Sequence, residues 1–323
     1  MENENNEITI DEKLYGKNLF GEPIKPNTRG IIADKFLVPP FTVLSARDGF
    51  WQDRKRMWIS LGIKSECGRE GLGVTSNASE GLEGCEYMSG RGGTDGGSIF
   101  DPVIAELFYN WFCPEGGQIL DPFAGGSVRG IVASILGFKY HGIDLSYAQI
   151  DANREQARAI CESPLPEWMV GDSMELLAAA PESDFIFSCP PYGDLEVYSD
   201  DPKDLSNMEF HTFIAAYKRI ILKACMRLKE NRFACFVVGD FRDGKGFYRN
   251  FVGETVQAFI DCGLQLYNEA ILITSVGSLP VRITRQFEAG RKLGKTHQNI
   301  LVFVKGDPKL ATQAINKTIK VKW

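Results

Sequence analysis

Metal-ligating residues and long apolar runs are scarce in this sequence. It has three histidines, and its eight cysteines are scattered without a C-x-x-C pair, which argues against a zinc site. No apolar run reaches the ~18 residues of a membrane-spanning helix, and no signal peptide is apparent. These absences predict a cytoplasmic protein with reduced thiols, no bound metal and no membrane contact.

Basic charge is also in short supply. The 323 residues carry a net charge of −6, so the surface is not coated with positive charge. Nucleic-acid binding would therefore depend on a local basic patch. What is present is an ordinary globular composition, 44% hydrophobic and 24% charged, which is enough for one large core-forming domain with appendages.

The first 97 residues are predicted to form an N-terminal appendage. A mobile arm over residues 1–30 leads to an edge element over 35–44, where two prolines interrupt an apolar run. A short helix is predicted over 51–63. Residues 67–97 are rich in Gly, Ser, Glu and Asn, which is typical of a long flexible insertion.

The predicted helix over 51–63 places basic residues beside tryptophan. Arg54, Lys55 and Arg56 lie between Trp51 and Trp58. Basic and aromatic side chains together are what a nucleic-acid backbone contact needs. An amphipathic helix with its tryptophans packed inward and a solvated basic face fits the same pattern, so both interpretations stay open.

Residues 98–306 change to an alternation of strands and helices, and residues 307–323 form a C-terminal tail. The predicted strands are 118–120, 140–143, 168–170, 185–187, 233–238, 270–274 and 299–304. The predicted helices are 103–112, 130–136, 147–161, 173–179, 210–228 and 250–262. This order predicts an α/β fold with a Rossmann-like, doubly wound, mostly parallel sheet. No helix is predicted between the last two strands, which could form an antiparallel edge pair.

Three acids follow three successive predicted strands. Asp121 opens the Gly-rich turn 121–127, Asp144 follows about 20 residues later, and Asp172 begins the next helix. Glycines let backbone approach a ligand, and the N-terminus of a following helix offers unpaired N–H groups. Asp144 could instead cap the helix predicted over 147–161, and a single such acid is weak evidence. The series instead predicts a nucleoside site, with Asp144 on ribose hydroxyls and Asp172 beside an adenine amino group.

The fourth predicted strand ends in Ser188-Cys189-Pro190-Pro191-Tyr192. Prolines cannot extend a strand ladder, so they fix a rigid turn and leave carbonyls without strand partners. A carbonyl acceptor beside an aromatic ring suits a planar base, which would stack on Tyr192 and donate its amino group to the Pro190 oxygen. A structural Pro-Pro turn with a packing tyrosine is the alternative.

Together these motifs resemble the amino-methyltransferase family of DNA methylases. The matching residues are Asp121-Pro122-Phe123-Ala124-Gly125, Gly142-Ile143-Asp144, Gly171-Asp172-Ser173 and Cys189-Pro190-Pro191-Tyr192. The resemblance covers residues 98–306, and phage or prophage-type methylases are also similar around residues 38–41 and 51–56. It implies a class I methyltransferase fold, S-adenosylmethionine as cofactor, and a bacterial or phage-infected host cell. The implied reaction methylates the exocyclic amine of a flipped base in duplex DNA, adenine being slightly favoured over cytosine.

The resemblance also implies which residues hold the cofactor. From its methionine part to its adenine they are Ser98, Phe100, Asp101, Asp121, Phe123, Gly125, Asp144, Leu145, Ser146, Asp172 and Ser173. Within this set Asp144 would take the ribose hydroxyls and Leu145 would lie against adenine. Residues 189–192 would bind the target base.

Two residues depart from the family pattern. Ser127 stands where the cofactor loop usually has a second glycine, and Cys189 stands where the target motif begins with Asp, Asn or Ser. A thiol is a poor acceptor, so polarising the amine would fall to the Pro190 carbonyl or to Ser188. Cys189 could instead attack C6 of cytosine, as in cytosine C5-methylases, although those enzymes carry the order Pro-Cys.

Other functions stay open at this stage. An RNA or tRNA base methyltransferase shares the Pro-Pro-Tyr turn, and a non-catalytic cofactor- or DNA-binding module would explain the Cys189 replacement. S-adenosylmethionine could also donate a group other than methyl. Duplex DNA is the expected partner, and a homodimer and a nuclease partner are left open.

Two loops are predicted to lie beside the site. The loop over 281–297 is predicted to bind phosphate, the alternative being a solvated loop. Its basic residues, opposed only by Glu288, are Arg282, Arg285, Arg291, Lys292 and Lys295. The loop over 193–207 is acidic, so it is predicted to cover the base pocket rather than hold phosphate.

Overall fold

The structure is a computed structural model, and it describes residues 31–64, 100–193, 201–277 and 279–315. Within these ranges the chain forms one mixed sheet with an apolar core on each face. The predicted arm, the insertion over 67–97 and Ser98 lie outside the described residues, as does the chain from residue 316 onward. None of the described helices is both long enough and apolar enough to cross a membrane.

The sheet has eight strands, and seven of them point the same way. They are β1 (Val43–Ser45), β2 (Gln118–Asp121), β3 (Lys139–Asp144), β4 (Glu167–Val170), β5 (Ser183–Ser188), β6 (Leu228–Val238), β7 (Gln265–Ile273) and β8 (His297–Lys305). Their order across the sheet is β1-β7-β8-β6-β5-β2-β3-β4. Only β8 is reversed, being antiparallel to both β6 and β7. The predicted α/β fold with a doubly wound, mostly parallel sheet and an antiparallel pair is therefore confirmed.

The edge beyond β7 is covered by the N-terminal segment. β1 pairs in parallel with β7, so the antiparallel pair lies one strand inside the sheet. The double proline 39–40 lies two residues before this short strand, which has the edge position predicted for residues 35–44. The N-terminal segment therefore belongs to the same sheet as the main domain.

Helices fill most of the connections. They are α1 (Ile31–Phe36), α2 (Gly49–Ser60), α3 (Pro102–Phe112), α4 (Val128–Ile135), α5 (Tyr147–Ile160), α6 (Ser173–Leu176), α7 (Phe210–Arg227), α8 (Phe251–Asp261), α9 (Leu279–Gly290) and α10 (Pro308–Ile315). Local sequence explains where several begin. Asp101 caps α3 by accepting the Val103 N–H at 3.0 Å, and Ser146 caps α5 by accepting the Gln149 N–H at 3.2 Å.

The prediction of a loop over residues 281–297 is wrong for most of that range. Helix α9 occupies residues 279–290, between β7 and β8. Its apolar residues Leu279, Ile283 and Phe287 recur every four positions, which is a helical spacing. Interleaved basic residues hide that spacing in the sequence.

Aromatic side chains hold the helices on both faces of the sheet. On one face Tyr109 of α3 packs against Phe187 of β5, with ring centroids 5.1 Å apart. On the other, Tyr217 of α7 packs against Phe251 of α8 at 5.0 Å. Burying each such side chain contributes about 1.5–3 kcal/mol. This packing fixes the carboxyl ends of β2, β3, β4 and β5 along one edge, where the predicted site residues lie.

Candidate active site

A cavity of about 880 Å³ opens where the parallel strands end. Of the predicted catalytic and cofactor residues, those that line it are Phe100, Asp101, Phe123, Gly125, Asp144, Leu145, Ser146, Asp172, Ser173, Cys189, Pro190, Pro191 and Tyr192. Four motifs that are far apart in the sequence therefore meet around one space. In open α/β sheets this edge, outside the carboxyl ends of the strands, is where ligands bind.

Asp121 lies behind the cavity wall and not on it. Its carboxylate is fully buried and accepts hydrogen bonds from Arg129 Nε at 2.6 Å, Tyr140 Oη at 2.7 Å and Ser188 Oγ at 2.5 Å. Asp121 is thus a scaffold of the loop, which corrects the expectation that it contacts the cofactor. Ser188 is likewise buried and committed to Asp121, so it is not placed to polarise a substrate amine.

The guanidinium of Arg129 holds the loop from inside. Besides Asp121 it donates to the carbonyls of Phe123 and Ala124, at 2.5 and 2.8 Å, and it lies 4.7 Å from the centroid of the Phe100 ring. Burial alone would lower the pKa of Arg129, but the Asp121 charge raises it above its ordinary value. Sequence reasoning missed this residue because its partner is recognisable only after the helix folds back on the strand.

Asp144 presents its carboxylate to the cavity at the end of β3. Its Oδ2 accepts the Gly125 N–H at 2.8 Å, and its Oδ1 accepts the Ser146 N–H at 2.9 Å. Gly125 has φ of 51°, a left-handed conformation that glycine adopts without strain. These contacts fix the carboxylate in orientation, and a carboxylate has about four acceptor positions with which to bind further donors.

The loop that carries the third acid, Asp172, is hydrogen-bonded to the loop that follows β2. Asp172 caps α6 by accepting the Met174 N–H at 2.7 Å, and the Ser173 hydroxyl donates to the Pro122 carbonyl at 2.6 Å. Both residues line the cavity, and Asp172 also caps the helix that follows it.

Tyr192 is held on three sides. Its hydroxyl accepts from Gln298 Nε2 at 3.0 Å, and its ring lies edge-on to Phe241 at 6.5 Å and to Phe251 at 6.0 Å. The ring is only partly buried and lines the cavity beside Cys189. A planar group entering the cavity would therefore meet an aromatic ring whose orientation is already fixed.

A further set of polar side chains lines the cavity and was not predicted. They come from α2 and from the ends of β6, β7 and β8, and they are Gln52, Asp240, Thr274, His297 and Gln298. Lys295 also lines the cavity; its partial burial lowers its pKa, an effect that the charge of Asp240 opposes. Sequence spacing gives no signal for these residues, because they come from one helix near residue 52 and from strand ends after residue 238.

The predicted basic residues of α2 have three different environments. Arg54 is buried and forms a bidentate pair with Glu106 of α3, with Nε 2.7 Å from Oε2, so it does not fit the predicted phosphate contact. Lys55 lines the cavity and lies 3.2 Å from Asp101. Arg56 is exposed and pairs with a neighbouring acid on its own helix. Trp51 and Trp58 are buried, as the amphipathic alternative predicts, but Arg54 is buried with them and not on a solvated face.

The predicted basic residues of 281–297 also lie in different environments. Arg282 and Arg285 lie on α9, where Arg285 is exposed, and Arg291 lies over the Phe287 ring at 5.1 Å. Lys292 and Lys295 follow the helix; Lys292 lies beside Gly246, and Lys295 lines the cavity.

The acidic loop over 193–207 is partly described. Residues 194–200 lie outside the described part of the chain, while Lys203, Asp204 and Leu205 line the cavity. Lys203 pairs with Glu175 at 3.0 Å. In the described segments, no group of three or more His, Cys, Asp or Glu side chains could hold a metal ion.

Solved methyltransferase structures are similar to this chain at low sequence identity. TrmN from Thermus thermophilus is 17% identical with a TM-score of 0.45, over 64% of this chain and 49%, about half, of that one. A TehB-like SAM-dependent methyltransferase from Corynebacterium glutamicum is 18% identical with a TM-score of 0.38, over 65% and 90%. Magnesium protoporphyrin IX methyltransferase (ChlM) from Synechocystis PCC 6803, with bound SAM, is 14% identical with a TM-score of 0.40, over 64% and 77%.

Comparison of the sequence with models of protein families found no match, and comparison with curated proteins found none. The functional assignment therefore rests on the cavity itself.

Proposed function

We propose that this protein transfers a methyl group from S-adenosylmethionine to the exocyclic amine of a flipped base in duplex DNA, with adenine N6 favoured over cytosine N4. One observation carries the proposal. The Asp144 carboxylate and the Cys189–Tyr192 turn, which are suited to a nucleoside and to a planar base respectively, line the same cavity. A donor and an acceptor bound there would lie next to each other, which is what direct group transfer requires.

The residues on one side of the cavity fit the cofactor chemically. Asp144 would accept the ribose hydroxyls, since its carboxylate is fixed by the backbone of Gly125 and Ser146. Leu145 supplies an apolar surface for adenine, and Asp172 supplies an acceptor for an adenine amino group. S-adenosylmethionine, when bound, supplies an activated methyl group.

The residues on the other side fit a base. Tyr192 offers a ring held by Gln298, on which a flipped base would stack. Pro190 lines the cavity and follows a strand whose last residue, Ser188, is anchored to buried Asp121. The Pro190 carbonyl would accept a hydrogen bond from the amine and orient its nitrogen towards the methyl group, without a metal or a covalent intermediate.

Nucleoside mass spectrometry of DNA from a strain expressing the protein tests this reaction. We expect N6-methyladenine with the wild-type protein and its loss with Tyr192→Ala. Glu182→Gln, at an exposed position outside the cavity, serves as the control and should leave the methylation unchanged. An absence of any new methylated nucleoside in DNA would refute the proposal, and methylation confined to RNA would reassign the substrate.

The same measurement separates the two chemistries open to Cys189. In the proposed reaction the thiol forms no bond to the base, so Cys189→Ala should retain methylation of an exocyclic amine. Formation of 5-methylcytosine that is abolished by Cys189→Ala would instead assign the thiol as a nucleophile.

A further inference from the structure

A short hairpin follows β6 at the rim of the cavity. Residues 241–249, called here the 241–249 hairpin, double back so that the Arg249 N–H donates to the Phe241 carbonyl at 2.9 Å. Nearer the tip, the Asp243 N–H donates to the Phe247 carbonyl at 2.9 Å, and the Asp243 carboxylate accepts the Phe247 N–H at 2.8 Å. These bonds give the turn a defined shape.

The hairpin exposes two aromatic side chains. Phe247 is 70% exposed and Tyr248 is 48% exposed, whereas Phe241 at the base of the hairpin is 5% exposed. The guanidinium of Arg242 lies over the Tyr248 ring, 3.9 Å from its centroid. Exposed aromatic rings on a hydrogen-bonded turn indicate a contact surface, because water solvates them poorly.

Basic side chains from a second segment reach the hairpin. Lys292 lies against Gly246, where an added Cβ would be 2.6 Å from its Nζ, and Lys295 Nζ lies 5.9 Å from the Tyr248 ring centroid. The basic residues of the hairpin and of the segment 291–295 are Arg242, Lys245, Arg249, Arg291, Lys292 and Lys295. In a chain whose net charge is −6, this is a local concentration of positive charge beside exposed aromatic rings.

The hairpin is continuous with the base side of the cavity. Phe241 lines the cavity and its ring centroid lies 6.5 Å from that of Tyr192, the ring proposed to stack on the base. Lys295 lines the cavity as well as facing Tyr248. A nucleotide entering the cavity would therefore pass the hairpin.

We propose that the 241–249 hairpin binds duplex DNA, with Phe247 stacking on the bases next to the flipped nucleotide and the basic side chains holding the adjacent phosphates. Exposed apolar side chains that insert between base steps stabilise unstacked DNA, which a base-flipping protein must produce. Basic side chains beside them bind the backbone without reading sequence. The choice of DNA rests on the proposed function; the contact itself rests on the hairpin's aromatic and basic residues.

Fluorescence anisotropy with a labelled duplex DNA of ~25 base pairs measures this contact on the full chain. Stacking of one base contributes about 1–3 kcal/mol, so Phe247→Ala should weaken duplex binding about 5- to 150-fold. Phe247→Trp should retain the affinity. Met226→Ala is the matched control, since Met226 is 71% exposed but lies at the far end of α7, and it should bind like wild type.

The salt dependence gives a second, independent measurement. Arg242→Gln and Lys245→Gln should each reduce the slope of log affinity against log salt by about 0.9 for each phosphate contact that is lost. Phe247→Ala should leave that slope unchanged, because its side chain carries no charge. Unchanged slopes in both glutamine variants would overturn the phosphate role of the hairpin.

The outcomes separate this inference from the proposed function. Wild-type affinity in Phe247→Ala, no duplex binding by the wild type, or tighter binding of an RNA duplex of the same sequence would each overturn the inference. Weakened duplex binding by Phe247→Ala, together with an absence of methylated nucleosides in DNA, would support the hairpin contact and refute only the methyl transfer. Calorimetry with S-adenosylhomocysteine should give the same affinity for Phe247→Ala and wild type, which shows that the variant is folded.

Discussion

Arg129 and Asp121 form an ion pair inside the protein, with Nε 2.6 Å from Oδ2 and exposed fractions of 5% and 0%. The pair joins the end of β2 to the first turns of α4. Because the same guanidinium holds two carbonyls of the intervening loop, the shape of the cavity wall depends on this pair.

Asp121→Ala is expected to destabilise the protein. It leaves the Arg129 charge buried without its carboxylate, and breaking a buried pair in this way costs about 3–5 kcal/mol. Urea unfolding monitored by tryptophan fluorescence measures the loss. A variant as stable as wild type would contradict the scaffold role of Asp121.

Asp144→Asn is expected to weaken binding of the cofactor in the cavity. An amide has one acceptor oxygen where the carboxylate has two, and a hydrogen bond to a charged group contributes about 1.5–3 kcal/mol. Affinity for S-adenosylhomocysteine in calorimetry should fall about 10- to 150-fold. Asp151→Asn, on the exposed side of α5, is the matched control and should bind like wild type.

Glu106→Ala is expected to detach α2 from α3. It removes the acceptor of both Arg54 and the Trp58 indole N–H, which lies 2.9 Å from Glu106 Oε2. The expected cost is about 3–5 kcal/mol, because Arg54 is left buried with its charge. Asp53→Ala removes the partner of exposed Arg56 and should cost less than about 1 kcal/mol. Equal unfolding midpoints in urea for the two variants would contradict the difference in burial.

Gly142→Ala is expected to disturb the packing behind the Asp144 loop. A Cβ at this position would lie 2.8 Å from side-chain atoms of Ala124, Trp168 and Tyr140. Overpacking of this kind costs about 1–3 kcal/mol, which should lower the thermal midpoint. Gly244→Ala, where nothing lies within 4 Å of an added Cβ, should leave it near the wild-type value.

Binding of DNA is expected to weaken with rising pH through Lys295. Its pKa is lowered from 10.5 by burial, so the ammonium that would attract phosphate loses its proton below that value. Affinity should therefore fall as the pH rises towards 10.5, and more steeply in wild type than in Lys295→Arg, whose guanidinium stays charged. If the affinities of the two proteins, measured by anisotropy, change with pH in parallel, Lys295 does not contact the DNA.

The sequence predicts the fold well where local rules decide it. The spacing of apolar residues and the capping residues predict the strands and helices from residue 102 to 262, with their ends shifted by a few residues. Caps such as Asp101 are visible in the sequence because they act on neighbours in the chain. Helix α9 is missed, because its apolar positions are sparse and its basic residues suggest a loop. The double proline predicts an edge element at residues 35–44, but local pattern does not predict that β1 pairs with β7, because that strand lies over 200 residues away.

The sequence predicts the motifs of the candidate site. It does not predict which residues of those motifs face the cavity. Asp121 and Asp144 both follow a buried strand, yet one is turned inward by Arg129 and the other towards the cavity. That difference arises from tertiary contacts, which no spacing encodes. The 241–249 hairpin is missed for the same reason, as its aromatic residues read as core until their exposure is known.

Phe241 connects the cavity to the 241–249 hairpin. Its buried ring packs near Tyr192 in the cavity, and its backbone begins the hairpin. In a close-packed interior such a ring cannot move without displacing its neighbours. Thermodynamic linkage then makes any effect mutual. If DNA on the hairpin changes the affinity of the cavity for an aromatic ligand by some factor, that ligand changes the affinity for DNA by the same factor.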